Sequence, residues 1–322
     1  MVRSFRSVGA LAAGVLWSTL TCAQDYPNKP VKIVVPFTAG SATDILARTV
    51  GQKLAEIWNQ TAIVDNRAGA GGTIGAGLVA KAPPDGYTLM VHSAAQAVNP
   101  FIYPSLPYDT LKDFVQVAAL AGQPNVLVVA PSTGYKTVSD LVADARKRPG
   151  VLNFGSAGTG SGTHINGEKF KLAAGIDVLH IPYKGTPEAL SDAMAGRITY
   201  FFSPISAALP LVRDGRLLAL GVSSAKRSSA LPNVPTIAAS GLPGFDYNLW
   251  VGLFAPAGTP ADIVEKINRD VNRVLREPDV RERMTALGAE AMPMTSAEFD
   301  RFMHTEMDEA AKVVKAAAIK VQ

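Results

Sequence analysis

The sequence predicts an α/β protein of two lobes, each a central, mostly parallel sheet flanked by helices, with a ligand cleft between the lobes. Three observations carry this reading. Apolar runs of strand length alternate with segments of helical periodicity. The alternation occurs twice, from Val31 to Val91 and again from Asn125 to Ser223. Each series also contains a strand-to-helix turn rich in small residues.

The first series opens with Val31 to Pro36 (VKIVVP), a near-continuous apolar run of the kind found in a strand buried on both faces. The turn Phe37 to Thr43 (FTAGSAT) follows. Asp44 to Trp58 then places Leu46, Val50, Leu54 and Ile57 at helical spacing. Ala62 to Asp65 reads as a short strand. Arg67 to Gly77 is a glycine-rich turn that enters a helix reaching Lys81. Asp85-Gly86 marks a turn before a strand at Tyr87 to Val91.

The second series begins with a strand at Asn125 to Ala130 and a helix at Thr137 to Arg148, stopped by Pro149-Gly150. A short strand, Leu152 to Gly155, leads into the turn Ser156 to Thr163 (SAGTGSGT) and a helix from His164 to Ala174. Val178 to Ile181 is a strand. Pro187 to Ala195 is a helix with Pro187 and Glu188 in its first turn, where both residue types favour initiation. Ile198 to Ser203 and Leu217 to Ser223 are strands. The remainder reads as helices from Thr259-Pro260 to about Leu275, Val280 to Leu287, and Ser296 to about Ala318. No short fixed period repeats, so the two series predict two lobes rather than a solenoid. The expected division is residues 24–120 with 225–322 in lobe one and 121–224 in lobe two, with crossovers near Ala121 and Ser224.

Arg3 and Arg6, the apolar run Val8 to Leu20 and the small residues around Ala23 have the layout of a secretory signal peptide cleaved after Ala23. The run is shorter than the roughly 20 apolar residues a spanning helix needs. Export to the periplasm is therefore expected. Cys22, the single cysteine, would leave with the peptide unless it carries a lipid; Thr21 is bulkier than the residue that lipidation favours. The chain has 31 basic and 27 acidic residues; subtracting Arg3 and Arg6 leaves 29 against 27. No basic block stands out, which argues against nucleic acid as a partner.

Both lobe turns lack Lys and Arg, yet each exposes backbone N–H groups ahead of a helix. A helix start carries about half a positive elementary charge and donors without internal partners. It can hold a carboxylate without a basic side chain, and both turns lie at the carboxyl ends of strands, where open α/β sheets bind ligands. The candidate ligand-binding residues are Phe37, Thr38, Ala39, Gly40, Ser41 and Thr43 from the first turn. Ser156, Gly158, Thr159 and His164 come from the second. Ser93, Ser203 and Pro204, at further strand ends, complete the set. Asp44 suits a structural role in its first helical turn. Gly69 to Gly77 lacks the third glycine of a dinucleotide loop, so no nicotinamide cofactor is expected. His92, His164, His180 and His304 have no zinc spacing, and Gly160-Ser161-Gly162 does not complete a nucleophile-elbow motif. No cofactor, metal or catalytic residue is expected.

Six stretches together resemble one family: YPNKPVKIVVPF from Tyr26, DNRAGAGG from Asp65, PDGYTL from Pro84, HIPYKG from His180, LPNVPT from Leu231 and LFAPAGTP from Leu253. The chain is similar throughout to the substrate-binding components of tripartite tricarboxylate transporters, the Bug family. The resemblance implies a type II periplasmic-binding-protein fold that captures a small carboxylate, a di- or tricarboxylate or an aromatic acid, largely through backbone groups and water. It implies that Phe37 to Thr43 and Ser156 to His164 are the principal ligand loops, that Ser203 faces the cleft, and that the chain acts as a monomer with the membrane subunits of such a transporter. Ser203 stands where many members carry Asp, which argues against an amino-acid ligand. A role in ligand sensing for a signalling system is the alternative the sequence leaves open.

Overall fold

The structure, a computed structural model, describes residues 26–319. The expected signal peptide and its cleavage site lie outside the described residues. In chain order the strands are β1 (Val31–Val35), β2 (Ala62–Asn66), β3 (Thr88–Ser93), β4 (Phe114–Val129), β5 (Asn153–Ser156), β6 (Leu179–Pro182), β7 (Tyr200–Pro204), β8 (Leu218–Val222), β9 (Asn248–Pro256) and β10 (Glu290–Ala291). The helices are α1 (Ala42–Trp58), α2 (Thr73–Ala80), α3 (Ala95–Ile102), α4 (Val138–Lys147), α5 (Gly162–Ala174), α6 (Thr186–Met194), α7 (Ile205–Arg213), α8 (Ala261–Val274), α9 (Pro278–Ala286) and α10 (Ser296–Ala316).

β1 lies between β2 and β3 and is parallel to both, as its two-sided burial requires. β9 then joins β3 antiparallel, and β4 joins β9 antiparallel. β4 is the element that links the lobes. Its segment from Phe114 to Pro124 pairs with β9, while Asn125 to Val129 pairs antiparallel with β7 and β8. β5 sits parallel between β7 and β6. The sheets are therefore mixed: the parallel strands are those of the βα series, and antiparallel β4 and β9 join them. Sequence reading found only the end of β4, because VAALAGQP lacks the β-branched density of a strand. It also missed α3 and α7, which contain Pro100 and Pro210, residues that interrupt helical patterns.

One core packs α1 and α8 against the first sheet region through Ile33, Leu46, Val50, Leu89, Val251 and Ile267. Another joins Leu127, Phe154, Phe170 and Phe202 in the second. Ile237, Leu242 and Phe245 belong to that second cluster, although a boundary near Ser224 would put them in lobe one. Ser223 bridges β4 and the segment that enters β9. Its Oγ accepts the Asn125 N–H at 2.8 Å and donates to the Tyr247 carbonyl at 2.6 Å.

Candidate functional site

Helix starts from both lobes converge on one narrow cavity. Its wall contains Phe37, Ser41, Ala42 and Thr43 at α1, Ser93 ahead of α3, Ala157 and Ser161 to Thr163 at α5, Thr186 at α6, Pro204 ahead of α7, and Leu249. No lining side chain is ionisable. What the wall itself offers a charged ligand is backbone dipoles, and helix starts favour an anion.

The two principal turns are built alike. Gly40-Ser41-Ala42-Thr43 and Gly160-Ser161-Gly162-Thr163 share the pattern Gly-Ser-x-Thr. Gly40 and Gly160 have φ of 82° and 84°, a region that penalises a Cβ. Ser41 (φ −69°, ψ 161°) and Ser161 (φ −64°, ψ 156°) are the N-caps. Each serine Oγ accepts the N–H three residues on and lies 3.0 Å from the following threonine Oγ1. The caps consume those third N–H groups. Among the described residues no acceptor takes the N–H groups of Ala42, Thr43, Gly162 or Thr163. Four donors without partners thus belong to the cavity wall, two from each lobe.

Behind each cap a side chain holds the glycine. The Gly40 N–H donates to Asp44 Oδ2 at 2.9 Å, and the Gly160 N–H donates to His164 Nδ1 at 3.1 Å. Burial alone would raise the Asp44 pKa, but hydrogen bonds from Arg48, Gly40 and Asn66 outweigh it and hold the carboxyl below its ordinary value. His164 is neutral: burial first, then His180 and Lys171, lower its pKa to about 2. Its ring stacks on His180 with centroids 3.9 Å apart.

The lobes touch around the cavity. Thr38 Oγ1 donates to Glu188 Oε2 at 3.0 Å, and the Tyr103 hydroxyl donates to the Thr159 carbonyl at 2.9 Å. Glycines permit this approach: a Cβ on Gly71 would stand 2.0 Å from the Thr159 carbonyl oxygen. The enclosed volume is ≈ 20 Å³. A single water needs about 10–15 Å³ on this scale, so the lobes stand closed together.

Residues 46–319 match the family model described as the tripartite tricarboxylate transporter family receptor. The chain belongs to this family. A protein from the tcbD–tcbE intergenic region of Pseudomonas sp. strain P51 is 42% identical over 264 residues, 82% of this chain and 79% of the relative. Protein BugT of Bordetella pertussis is 35% identical across 100% of this chain and 99% of its own. Among solved structures, R. palustris Rpa4515 with adipate superposes with a TM-score of 0.90 at 36% identity, covering 92% of this chain and 100% of that one. MatC from Rhodopseudomonas palustris with bound malate gives 0.84 at 34% identity, covering 90% and 100%. The fold is that of the periplasmic binding proteins.

Within this receptor-family fold, the sequence candidates fall into two groups. Phe37, Ser41, Thr43, Ser93 and Pro204 line the cavity. Thr38, Gly158 and Thr159 lie where the lobes meet, and Ala39 and Gly40 are exposed. Ser156 Oγ accepts the Gly158 N–H at 3.0 Å and lies 2.6 Å from His180 Nε2, so it braces the turn from behind. His164 spends Nδ1 on Gly160 and turns Nε2 toward Glu168, 3.8 Å away. It is not among the lining residues. Ser203 is fully buried, bonds the Pro204 carbonyl at 3.2 Å and is absent from the wall. Thr186 and Leu249 join the wall without a sequence signal, since only tertiary packing brings α6 and β9 to it.

Proposed function

We propose that this chain is a periplasmic solute-binding protein that captures a small carboxylate, without turning it over, and delivers it to the membrane subunits of a tripartite tricarboxylate-type transporter. The observation that carries the reading is the set of four unpartnered N–H groups, two per lobe, in a wall free of ionisable side chains. An acid with carboxylates at both ends would bridge the two caps. Charge-assisted bonds to such N–H groups are roughly twice as strong as neutral ones. The adipate and malate held by the similar structures support this ligand class for this chain.

The same wall supports binding without catalysis, since its side chains offer no acid, base or nucleophile beyond hydroxyls. The Ser156–His180 pair has nucleophile–base spacing, yet among the described residues no carboxylate orients the His180 ring. We further propose that the lobes are residues 26–123 with 248–319, and 124–247, moving about the two crossings that Ser223 bridges. The acid would enter when they part, and closure would surround it. A thermal-shift screen of mono-, di- and tricarboxylates against their neutral amides tests the reading. Acids should raise Tm, by roughly 2.7 kcal/mol of stabilisation at a hundredfold excess over Kd. Equal shifts from the amides would sink it.

A further inference from the structure

A second and much larger cavity lies away from the acid site. It encloses ≈ 450 Å³, within the roughly 300–1,000 Å³ of small-molecule sites. Both lobes build it: Ile165 and Lys169 come from α5, Ala94 to Val98 from α3, and Phe302 to Val313 from α10, with Trp250 on the floor strand. The wall is largely apolar and aromatic, and Trp250 meets Phe302 edge to face at 5.5 Å.

Its charges do not cancel. The wall holds three carboxylates, Asp246, Glu306 and Glu309, against one ammonium, Lys169, which bonds the Asp246 backbone carbonyl at 2.9 Å and acts on Glu306 only through space; Lys312, outside the wall, pairs with Glu309 at 2.6 Å. The indole N–H of Trp250 donates to Glu306 Oε2 at 2.7 Å. Among the described residues no donor reaches its other oxygen. A half-buried carboxylate with an open oxygen, in a wall that also holds the rings of Trp250 and Phe302, has the chemistry to hold an organic cation through an ion pair and cation–π contact.

We propose that this cavity is a second ligand site, which takes a small amine with an apolar body and pairs its ammonium with Glu306. Nothing in the acid site has this character, so the two sites should take ligands of opposite charge.

Calorimetric titration of the full chain with phenethylamine, cationic at neutral pH, and with 2-phenylethanol, its neutral counterpart, tests this. The amine should bind one to one and at least tenfold more tightly than the alcohol. Glu306→Gln retains an acceptor for Trp250 but loses the charge, and should weaken the amine at least tenfold. Ala97→Phe fills the space without touching the carboxylate and should give the same loss. A single cooperative thermal melt with a Tm close to that of the unaltered protein shows that each variant is folded. Absence of amine binding, equal binding of the alcohol, or unchanged amine affinity in a folded variant would overturn the proposal. None of these outcomes bears on the carboxylate reading, because no acid is present in the titration.

Discussion

His164 holds in the second lobe the place that Asp44 holds in the first: each accepts the backbone N–H of the glycine four residues before it, at 3.1 and 2.9 Å. An anionic carboxylate and a neutral imidazole thus perform one task, fixing the glycine so that the N–H groups two and three residues on stay open. What His164 must supply is an acceptor, not a proton. His164→Asn keeps a short acceptor at that position, whereas His164→Leu removes it. Acid affinity measured by calorimetry should fall less than threefold for Asn and at least tenfold for Leu.

Closure depends on how near Gly71 comes to Thr159. In Gly71→Ala the new methyl group would meet the Thr159 carbonyl oxygen at 2.0 Å and would hold the lobes apart. The φ of 60° adds local strain of roughly 1–2 kcal/mol in both open and closed forms. Acid affinity should therefore drop at least tenfold, far more than the modest fall in Tm of the ligand-free protein. Small-angle scattering with saturating acid should show a larger radius of gyration than the unaltered protein.

Ser223 bridges the two crossing segments, at Asn125 and Tyr247, through one hydroxyl. Ser223→Ala leaves the buried Asn125 N–H without its acceptor and the Tyr247 carbonyl without a donor. An unsatisfied buried backbone group costs about 1–3 kcal/mol. Denaturant melts should show a loss of that size.

His180 makes stability depend on pH. Burial, followed by the Lys171 charge, lowers its pKa from the ordinary 6.5 to about 4. Between those values the unfolded chain binds a proton that the folded chain does not, so this group costs stability progressively as pH falls from 6.5 to 4. The sign is that of a depressed base. His180→Gln cannot titrate there, so the Tm advantage of the unaltered protein over this variant should shrink across that window. A constant difference would refute the assignment.

Much of this architecture was readable in order along the chain. VKIVVP announced β1 by its apolar density, and the small residues of FTAGSAT and SAGTGSGT announced the two caps. The rest depends on tertiary packing. Thr186 and Leu249 reach the cavity through sheet order, which no local pattern encodes. The parallel between Asp44 and His164 was hidden because residues of unlike chemistry share an acceptor role. Ser203 and Pro204 share a strand end, and of the two only Pro204 is part of the narrow cavity wall. Phe245 packs its ring against Phe202 and Phe170, a contact between distant segments that chain position does not reveal.

The most direct measurement is a crystal structure with the acid that gives the largest thermal shift. The account predicts carboxylate oxygens about 2.7–3.1 Å from the N–H groups of Ala42 or Thr43 in one lobe and of Gly162 or Thr163 in the other, directly or through one water. An acid held instead by lysine or arginine side chains, or bound elsewhere with those four groups still unpartnered, would contradict it.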